Sequence, residues 1–324
     1  MDSESPPRQD PPDGSEWVWG KDDNLGRLNF LTASRVAKAA QEIKLGEVIP
    51  LKLRDFPLEY PQEPAFGREA FAYEIKNIDK DIVYDDMYRL NTQSGTHWDG
   101  FRHFAHVKSL KFYNNATGAD IVGPTSNDKC SIHHWAQKGI AARGVLLDYR
   151  GYARQKNLHY DACTTYRITY DELASCGEAQ GIDIRPAAKG GDIEVGDILF
   201  IRTGWVQDSK IQAEETKMNG GSGSLGNNFA GVAQEPQMVE WLHDCYFAAV
   251  AGDSPTFEAW PTSQDYFLHE YILALWGMPL GEMLDLERLS ARCRDLGRWT
   301  FFFSSMPSNC IGGICSHING MAIL

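Results

Sequence analysis

One short segment, residues 91–106, holds more side chains that could bind a metal ion or move a proton than any other part of the sequence. It reads N-T-Q-S-G-T-H-W-D-G-F-R-H-F-A-H. If the segment is extended, Gln93, His97 and Asp99 project from one face, because successive side chains in a strand point to opposite faces. An imidazole nitrogen, a carboxylate oxygen and an amide oxygen are ligands that a divalent cation such as Zn²⁺ or Mn²⁺ accepts. The spacing therefore predicts a metal site that includes His97, Asp99 and Gln93.

His103 follows Asp99 closely enough to reach the same site without binding the metal itself. An imidazole titrates near neutrality, so it can accept a proton and return it at pH 7. Several ionisable groups side by side are costly to bury unless a metal or mutual hydrogen bonds compensate. This cost favours a functional cluster over unrelated surface histidines, and we predict that His103 is the general base.

The segment resembles the signature H-x-G-T-H-x-D-x-P-x-H of the cyclase superfamily of metal-dependent hydrolases, which includes bacterial kynurenine formamidase and isatin hydrolase. Two positions depart from the signature, since Gln93 replaces the first metal-binding His and Phe101 replaces Pro. The loss of an imidazole ligand is expected to weaken metal binding or to change which metal the site prefers, although an amide oxygen can bind a hard cation. The positions that match are Gly95, Thr96, His97, Asp99 and His103.

The same resemblance implies two further metal ligands late in the chain, His269 and Glu282. One more residue separates them than in the family, and the extra residue is expected in the turn formed by Gly277, Met278 and Pro279. Aromatic residues near the predicted site indicate an aromatic or apolar small-molecule substrate, because ligand pockets are lined mainly by such side chains. The predicted substrate-binding residues are Trp98, Phe101, Phe104 and Trp205.

The elements that position these residues are predicted strands of buried character that alternate with predicted helices along the chain. This order predicts an α/β protein. The resemblance, which extends over about residues 17–322, implies the swivelling β/β/α fold of the cyclase superfamily and a homodimer or larger homo-oligomer. Periodicity and capping residues predict helices after Thr32, from Ile168 to Gln180 with Thr169 as its cap, and from Glu235 to Cys245. Apolar runs predict strands at Val48–Leu53, Ile140–Asp148, Gly196–Trp205, Tyr246–Gly252 and Trp299–Ser305.

The composition describes a globular chain of 324 residues with a formal net charge of -13, which argues against a nucleic-acid partner. The Pro- and Asp-rich stretch of residues 1–16 is predicted to be a disordered leader, and residues 17–324 a single catalytic domain. No apolar run is long enough for a membrane helix, and residues 1–16 do not resemble a signal peptide. The seven cysteines are scattered with no C-x-x-C pair and are expected to be reduced, so we expect a cytoplasmic protein.

These observations predict a metal-dependent hydrolase that cleaves a small amide, cyclic amide or lactone with a metal-activated water. Two alternatives remain open. The same metal could assist cyclisation, dehydration or isomerisation of a secondary metabolite without consuming water. Alternatively, the protein could be a non-catalytic relative that binds a small molecule, which the replacement of the first His by Gln93 favours.

Overall fold

The structure is a computed structural model that describes residues 12–52, 65–218, 226–317 and 319–324. The strands are β1 (Val48–Pro50), β2 (Ala72–Asp79), β3 (Val83–Arg89), β4 (His97–Asp99), β5 (Ile140–Leu147), β6 (Arg167–Ile168), β7 (Ile198–Ile201), β8 (Gly231–Val232), β9 (Ala249–Gly252), β10 (Leu280–Glu282), β11 (Thr300–Ser305), β12 (Cys315–His317) and β13 (Gly320–Ile323). The α-helices are α1 (Ala33–Ala39), α2 (Gly118–Ile121), α3 (His133–Lys138), α4 (Tyr149–Gln155), α5 (Tyr170–Gln180), α6 (Trp205–Met218), α7 (Pro236–Asp244) and α8 (Glu287–Leu296). A π-helix covers Glu270–Leu275, and 3₁₀ turns cover Gly26–Phe30, Ala40–Glu42, Ala65–Gly67, Tyr113–Asn115 and Ala187–Lys189.

A mixed sheet dominates the described residues, with nine strands in the order β1-β13-β11-β5-β7-β9-β10-β4-β12. Its centre is parallel, because β5, β7, β9 and β10 pair in the same direction. Every residue of β7 and β9 is buried, as expected for parallel strands covered on both faces. Antiparallel strands complete the sheet on both sides, with β4 and β12 at the end next to β10.

Several predicted elements are confirmed. Thr32 caps α1, since its hydroxyl accepts a hydrogen bond from the amide of Arg35. Thr169 and Glu172 form a reciprocal capping box at the start of α5. The strands β5, β7, β9 and β11 all fall within the ranges predicted from apolar runs. These features depend on neighbouring residues, which is why sequence patterns reveal them.

Two local predictions are corrected. The strand that carries His97 and Asp99 has only three residues, and Gln93 lies in the turn before it, not in an extended strand. Trp205 begins helix α6, whereas the sequence pattern placed it at the end of a strand. In both places a turn follows or precedes a short buried strand, and apolar periodicity does not locate such boundaries.

The ends of some predicted segments lie outside the described residues. This is the case for residues 1–11 of the predicted leader and for Leu53 of the first predicted strand. The carboxylate of Glu16, in the described part of the leader range, forms an ion pair of 2.6 Å with the buried Arg27. Among the described residues, none of the helices combines the length and apolar character required to cross a membrane.

Candidate metal centre

Strand β4 lies between β10 and β12, and this pairing builds the candidate site. Glu282 on β10 stands directly opposite His97, and Cys315 on β12 stands opposite Asp99. Directly paired residues of antiparallel strands project from the same face. One face of three short strands therefore carries His97, Asp99, Glu282 and Cys315.

The side chains of His97, Asp99 and Glu282 converge on one buried point. The Nε2 atom of His97 lies 3.3 Å from Asp99 Oδ1 and 3.3 Å from Glu282 Oε2. All three side chains are almost fully buried, and their ligand atoms lie within 4.8 Å of one another. Two nitrogen or oxygen atoms about 2.1 Å from a tetrahedral cation are separated by roughly 3.4 Å, so the spacing suits a shared metal.

The hydrogen bonding of these residues also fits a cation. His97 Nδ1 lies 2.7 Å from the carbonyl oxygen of Gly95, which can only accept, so Nδ1 carries the proton. His97 Nε2 and Asp99 Oδ2 are buried without a well-oriented hydrogen-bond partner in the described structure. Buried polar atoms are normally satisfied, so these two atoms are available to a further partner, and a metal ion suits both of them.

The charges in the cluster shift the pKa values of His97 and Asp99. Burial disfavours the charged imidazole of His97, but Asp99 and Glu282 outweigh this effect and raise the pKa of His97 to about 10. Burial would raise the pKa of Asp99, yet the imidazoles of His103, His97 and His269 hold it well below its ordinary value. The site is thus an anionic pocket that attracts positive charge, whether protons or a metal ion.

His269 approaches the same carboxylates from the segment that precedes the π-helix. Its Nε2 lies 3.2 Å from Glu282 Oε1 and 3.8 Å from Asp99 Oδ2. Its Nδ1 lies 2.6 Å from an oxygen of Glu258. Burial alone would lower the pKa of His269, but the carboxylates of Glu258 and Glu282 outweigh this effect and raise the pKa well above its ordinary value. A carboxylate on the far nitrogen of a histidine is the usual partner of a metal-binding imidazole.

Glu258 is a functional candidate that sequence reasoning missed. It is fully buried, and besides His269 it accepts hydrogen bonds from the amides of Leu268 and His269 and from the side chain of Gln234. The sequence carries one signal, a single carboxylate within the apolar run from Phe257 to Trp260. Its contact with His269 comes only from the tertiary structure.

Gln93 reaches the site from the turn that precedes β4. Its amide nitrogen donates a short hydrogen bond to Asp99 Oδ1 and lies 3.0 Å from the Sγ atom of Cys315. Its amide oxygen is buried and has no hydrogen-bond partner among the described residues. A half-turn of the amide would exchange the two atoms, so Gln93 can present either a donor or an oxygen ligand to the site.

His103 lies at the edge of the cluster, where its side chain is 25% exposed. Its Nε2 is 3.9 Å from Asp99 Oδ2, beyond hydrogen-bond distance. Burial lowers the pKa of His103 below its ordinary value, although Asp99 opposes this effect. The ring is therefore neutral at pH 7 and has a nitrogen lone pair available to take a proton.

The four predicted substrate-binding aromatic residues lie in different surroundings. Trp98 is fully buried on the opposite face of β4, where its indole nitrogen donates to Ser305. Phe101 is also fully buried, with ring centroids 4.7 Å from both Tyr113 and Trp135. Trp205 packs in a separate cluster that includes Phe229 and Met283. The structure does not bring Trp98 or Phe101 to the face that carries His97 and Asp99.

Phe104 is the predicted aromatic residue that lies beside the site. It is half-buried, and its ring centroid is 5.4 Å from that of His269 and 5.4 Å from that of Phe267. Phe267 stacks on Trp260 at 5.6 Å. A row of partly exposed aromatic rings therefore runs from His269 towards the surface.

Comparisons with known proteins identify the family and the fold. A family model described as "Putative cyclase" matches residues 55–259, more than half of the chain, including Gln93 to His103 but not His269 or Glu282. A crystal structure of a novel cyclase is 24% identical and has a TM-score of 0.79 over 96% of this chain and 99% of that chain. A search of curated proteins found no match.

Two isatin hydrolase structures are more distant. Isatin hydrolase A from Ralstonia solanacearum is 17% identical, with a TM-score of 0.54 over 85% of this chain and 91% of its own. An isatin hydrolase bound to the product analogue thioisatinate is 15% identical, with a TM-score of 0.57 over 91% and 99%. The predicted α/β fold of the cyclase superfamily is confirmed, and this chain belongs to the cyclase family.

Proposed function

We propose that this protein is a metal-dependent hydrolase that opens a small amide, cyclic amide or lactone. The observation that carries the proposal is the convergence of His97, Asp99 and Glu282, with buried atoms that lack well-oriented partners, beside the neutral imidazole of His103. His269 completes the proposed ligand set, and Gln93 can add its amide oxygen. The proposed metal is Zn²⁺ or Mn²⁺, since imidazole and carboxylate ligands suit both.

A divalent cation bound at this point would lower the pKa of a water molecule from 15.7 to about 7 and polarise a substrate carbonyl. The protein residues supply the remaining functions. His103 takes a proton from the attacking water and returns it to the leaving nitrogen or oxygen as the bond to the carbonyl carbon breaks. Glu258 holds the ring of His269 in one orientation through the 2.6 Å contact to Nδ1.

The surroundings of the site support an aromatic or apolar substrate. Phe104, Phe267 and Trp260 form a row of half-buried rings that ends at His269. Such rings bind flat apolar groups, while a few polar groups orient the reacting bond. The shared fold with isatin hydrolases, whose name indicates a cyclic-amide substrate, is consistent with this choice.

The first test is elemental analysis of chelator-treated protein reloaded with Zn²⁺ or Mn²⁺, followed by assays on aromatic amides, cyclic amides and lactones. We expect about one equivalent of metal at this centre and release of the corresponding carboxylic acid. His97→Ala and Asp99→Ala should lose the metal of this centre and the activity together, whereas His103→Ala should lose activity and keep that metal. His159→Ala is the control, because His159 is exposed. Full turnover by His103→Ala would falsify its role as the base.

One observation favours a second candidate function, a metal-free isomerase or a simple small-molecule binder. The amide nitrogen of Gln93 donates to Asp99 Oδ1, an oxygen that a cation would need. If the reloaded wild-type protein holds no metal at His97 and Asp99, this alternative replaces the hydrolase proposal. Binding of the same aromatic compounds without turnover would then support it.

We also propose that the protein forms a homo-oligomer. The hairpin of β2 and β3 pairs only with itself among the named strands, and it exposes apolar side chains that include Tyr73, Ile75 and Tyr88. An isolated two-stranded hairpin is at best marginally stable in water. Light scattering should give a mass that is a multiple of the chain mass, and a purely monomeric protein would contradict the proposal.

A further inference from the structure

A second group of potential metal ligands, Asp128, His133 and His134, lies apart from the candidate metal centre and shares no residue with it. We call it the Asp128 cluster. Its three ligand atoms lie within 4.8 Å of one another, as do those of His97, Asp99 and Glu282. The Nε2 atoms of His133 and His134 lie 3.7 Å and 3.8 Å from Asp128 Oδ2.

The tautomer of His133 can be assigned from its neighbours. The hydroxyl of Ser131 donates its proton to the carbonyl oxygen of Cys310 at 3.4 Å. Ser131 Oγ can then only accept from His133 Nδ1, which lies 3.0 Å away, so the proton of His133 is on Nδ1. Nε2, which lies 3.7 Å from Asp128 Oδ2, therefore carries the lone pair that a metal-binding histidine needs.

His134 can join the same ligand set at little cost. Its Nε2 lies 3.1 Å from the carbonyl oxygen of Asp128 and donates to it in the absence of a metal. That carbonyl also accepts from the amide of Ser131 at 3.0 Å, so it stays satisfied when His134 moves its proton to Nδ1. The centroids of the two imidazole rings lie 3.9 Å apart. The side chain of His134 is 21% exposed, so solvent can assist the transfer of its proton from Nε2 to Nδ1.

The loop that carries Asp128 is held in place by Arg102. Its guanidinium donates to the carbonyl oxygens of Asn127 at 2.6 Å and Lys129 at 2.7 Å, and to that of Gly312 at 3.2 Å. The side chain of Asn127 accepts from the amide of Lys129 and fixes the same turn. The backbone on both sides of Asp128 is thus ordered, which favours metal binding because little flexibility is lost.

We propose that the Asp128 cluster is a second binding site for a borderline divalent cation such as Zn²⁺. Two imidazoles and one carboxylate match the ligands that Zn²⁺ prefers, and three protein ligands leave a position for water or another small ligand. The side chain of Asp128 is 58% exposed, so its carboxylate can move the few tenths of an ångström that would bring its oxygen and the imidazole nitrogens to the spacing of zinc ligands. Since Arg102 is the residue before His103, the cation would stabilise a loop that is tied to the segment of the proposed base.

The test is a calorimetric titration of the chelator-treated full chain with Zn²⁺. The variants are Asp128→Asn and His134→Ala, which change partly exposed side chains, and His159→Ala is the control. We expect both variants to bind about one equivalent less than the wild type, or to bind it more than about tenfold more weakly, which is the least that loss of a ligand should cost. Unchanged stoichiometry and affinity in both variants would overturn the proposal.

A second measurement separates this site from the candidate metal centre. In the His97→Ala background, the equivalent assigned to the Asp128 cluster should remain and should disappear on further substitution His134→Ala. If His97→Ala alone removes all Zn²⁺ binding, the second site does not exist. Anomalous diffraction at the zinc edge from Zn²⁺-loaded crystals should place a peak between Asp128, His133 and His134.

Discussion

The Nδ1 atom of His269 faces the buried carboxylate of Glu258, and this contact is tested by a change that preserves shape. We expect Glu258→Gln to lower metal affinity at the candidate centre by about 10–100-fold, because a neutral amide is a weaker acceptor and no longer fixes the imidazole. The measurement is a competition titration with a chromogenic chelator. Glu287→Gln is the matched control, since Glu287 pairs with Arg202 away from the site. Equal affinities for wild type and Glu258→Gln would rule out this role.

We expect Gln93 to influence how strongly the candidate centre binds a cation. An imidazole at this position would offer a nitrogen ligand in place of an amide that now donates to Asp99. We expect Gln93→His to bind Zn²⁺ at least about tenfold more tightly, because imidazole suits this metal better than an amide. The same competition titration measures the change. An unchanged affinity would mean that residue 93 does not reach the bound metal.

At the scale of elements, the close contact between β4 and β10 depends on Gly281. A Cβ atom at this position would lie 3.0 Å from Ala251 Cβ and 3.0 Å from the ring of Trp98. Trp98 is fully buried, so it has little room to move. We therefore expect Gly281→Ala to push the strands apart and to destabilise the fold by about 1–3 kcal/mol, the usual cost of overpacking.

The change at Gly281 should also weaken metal binding, because Glu282 is the next residue and stands opposite His97. Urea denaturation measures the stability and a Zn²⁺ titration measures the affinity. Gly118→Ala is the control: a Cβ there meets nothing within 4 Å, and the residue begins helix α2. If Gly281→Ala is as stable as the wild type and binds Zn²⁺ equally well, the two strands tolerate a wider spacing.

At the scale of the whole molecule, a buried ion pair and its hydrogen bonds join four elements. Asp148 follows β5 and caps helix α4. Its Oδ1 atom lies 2.7 Å from the guanidinium of Arg202, which follows β7, and its Oδ2 atom accepts a hydrogen bond from Ser290 on α8. Burial would raise the pKa of Asp148, but Arg202 and these hydrogen bonds lower it below its ordinary value. The folded protein is thus stabilised by the ionised carboxylate.

The sign of the pH effect follows from this lowered pKa. The unfolded chain protonates Asp148 near pH 3.9, whereas the folded protein keeps it ionised to lower pH. The stabilisation is complete above about pH 3.9 and is lost as the pH falls through the folded pKa. We expect Asp148→Asn to lose about 3 kcal/mol at pH 7 and to lose less in acid, because the substitution removes one of the two ion pairs that Arg202 forms among the described residues.

Denaturation curves at pH 7 and in acid measure this difference. Glu194→Gln is the control, because Glu194 pairs with Lys38, whose side chain is 64% exposed, and such pairs contribute about 1 kcal/mol or less. A loss of stability for Asp148→Asn that is the same at every pH would show that shape, and not charge, explains the effect.

The local sequence determined much of this protein. The alternation of side chains along a strand placed His97 and Asp99 on one face, and the capping residues Thr32 and Thr169 marked the starts of their helices. Apolar runs located the central strands. Each of these features depends on residues only a few positions apart, so its physical cause is present in the sequence itself.

The tertiary structure decided which distant residues meet. Pairing of β10 and β12 with β4 brings Glu282 and Cys315 beside His97 and Asp99, and chain reversal brings Glu258 to His269. The same alternation that placed His97 and Asp99 on one face directed the side chain of Trp98 into the core. Sheet register and packing between segments far apart in sequence set these contacts, and residue type alone does not encode them locally.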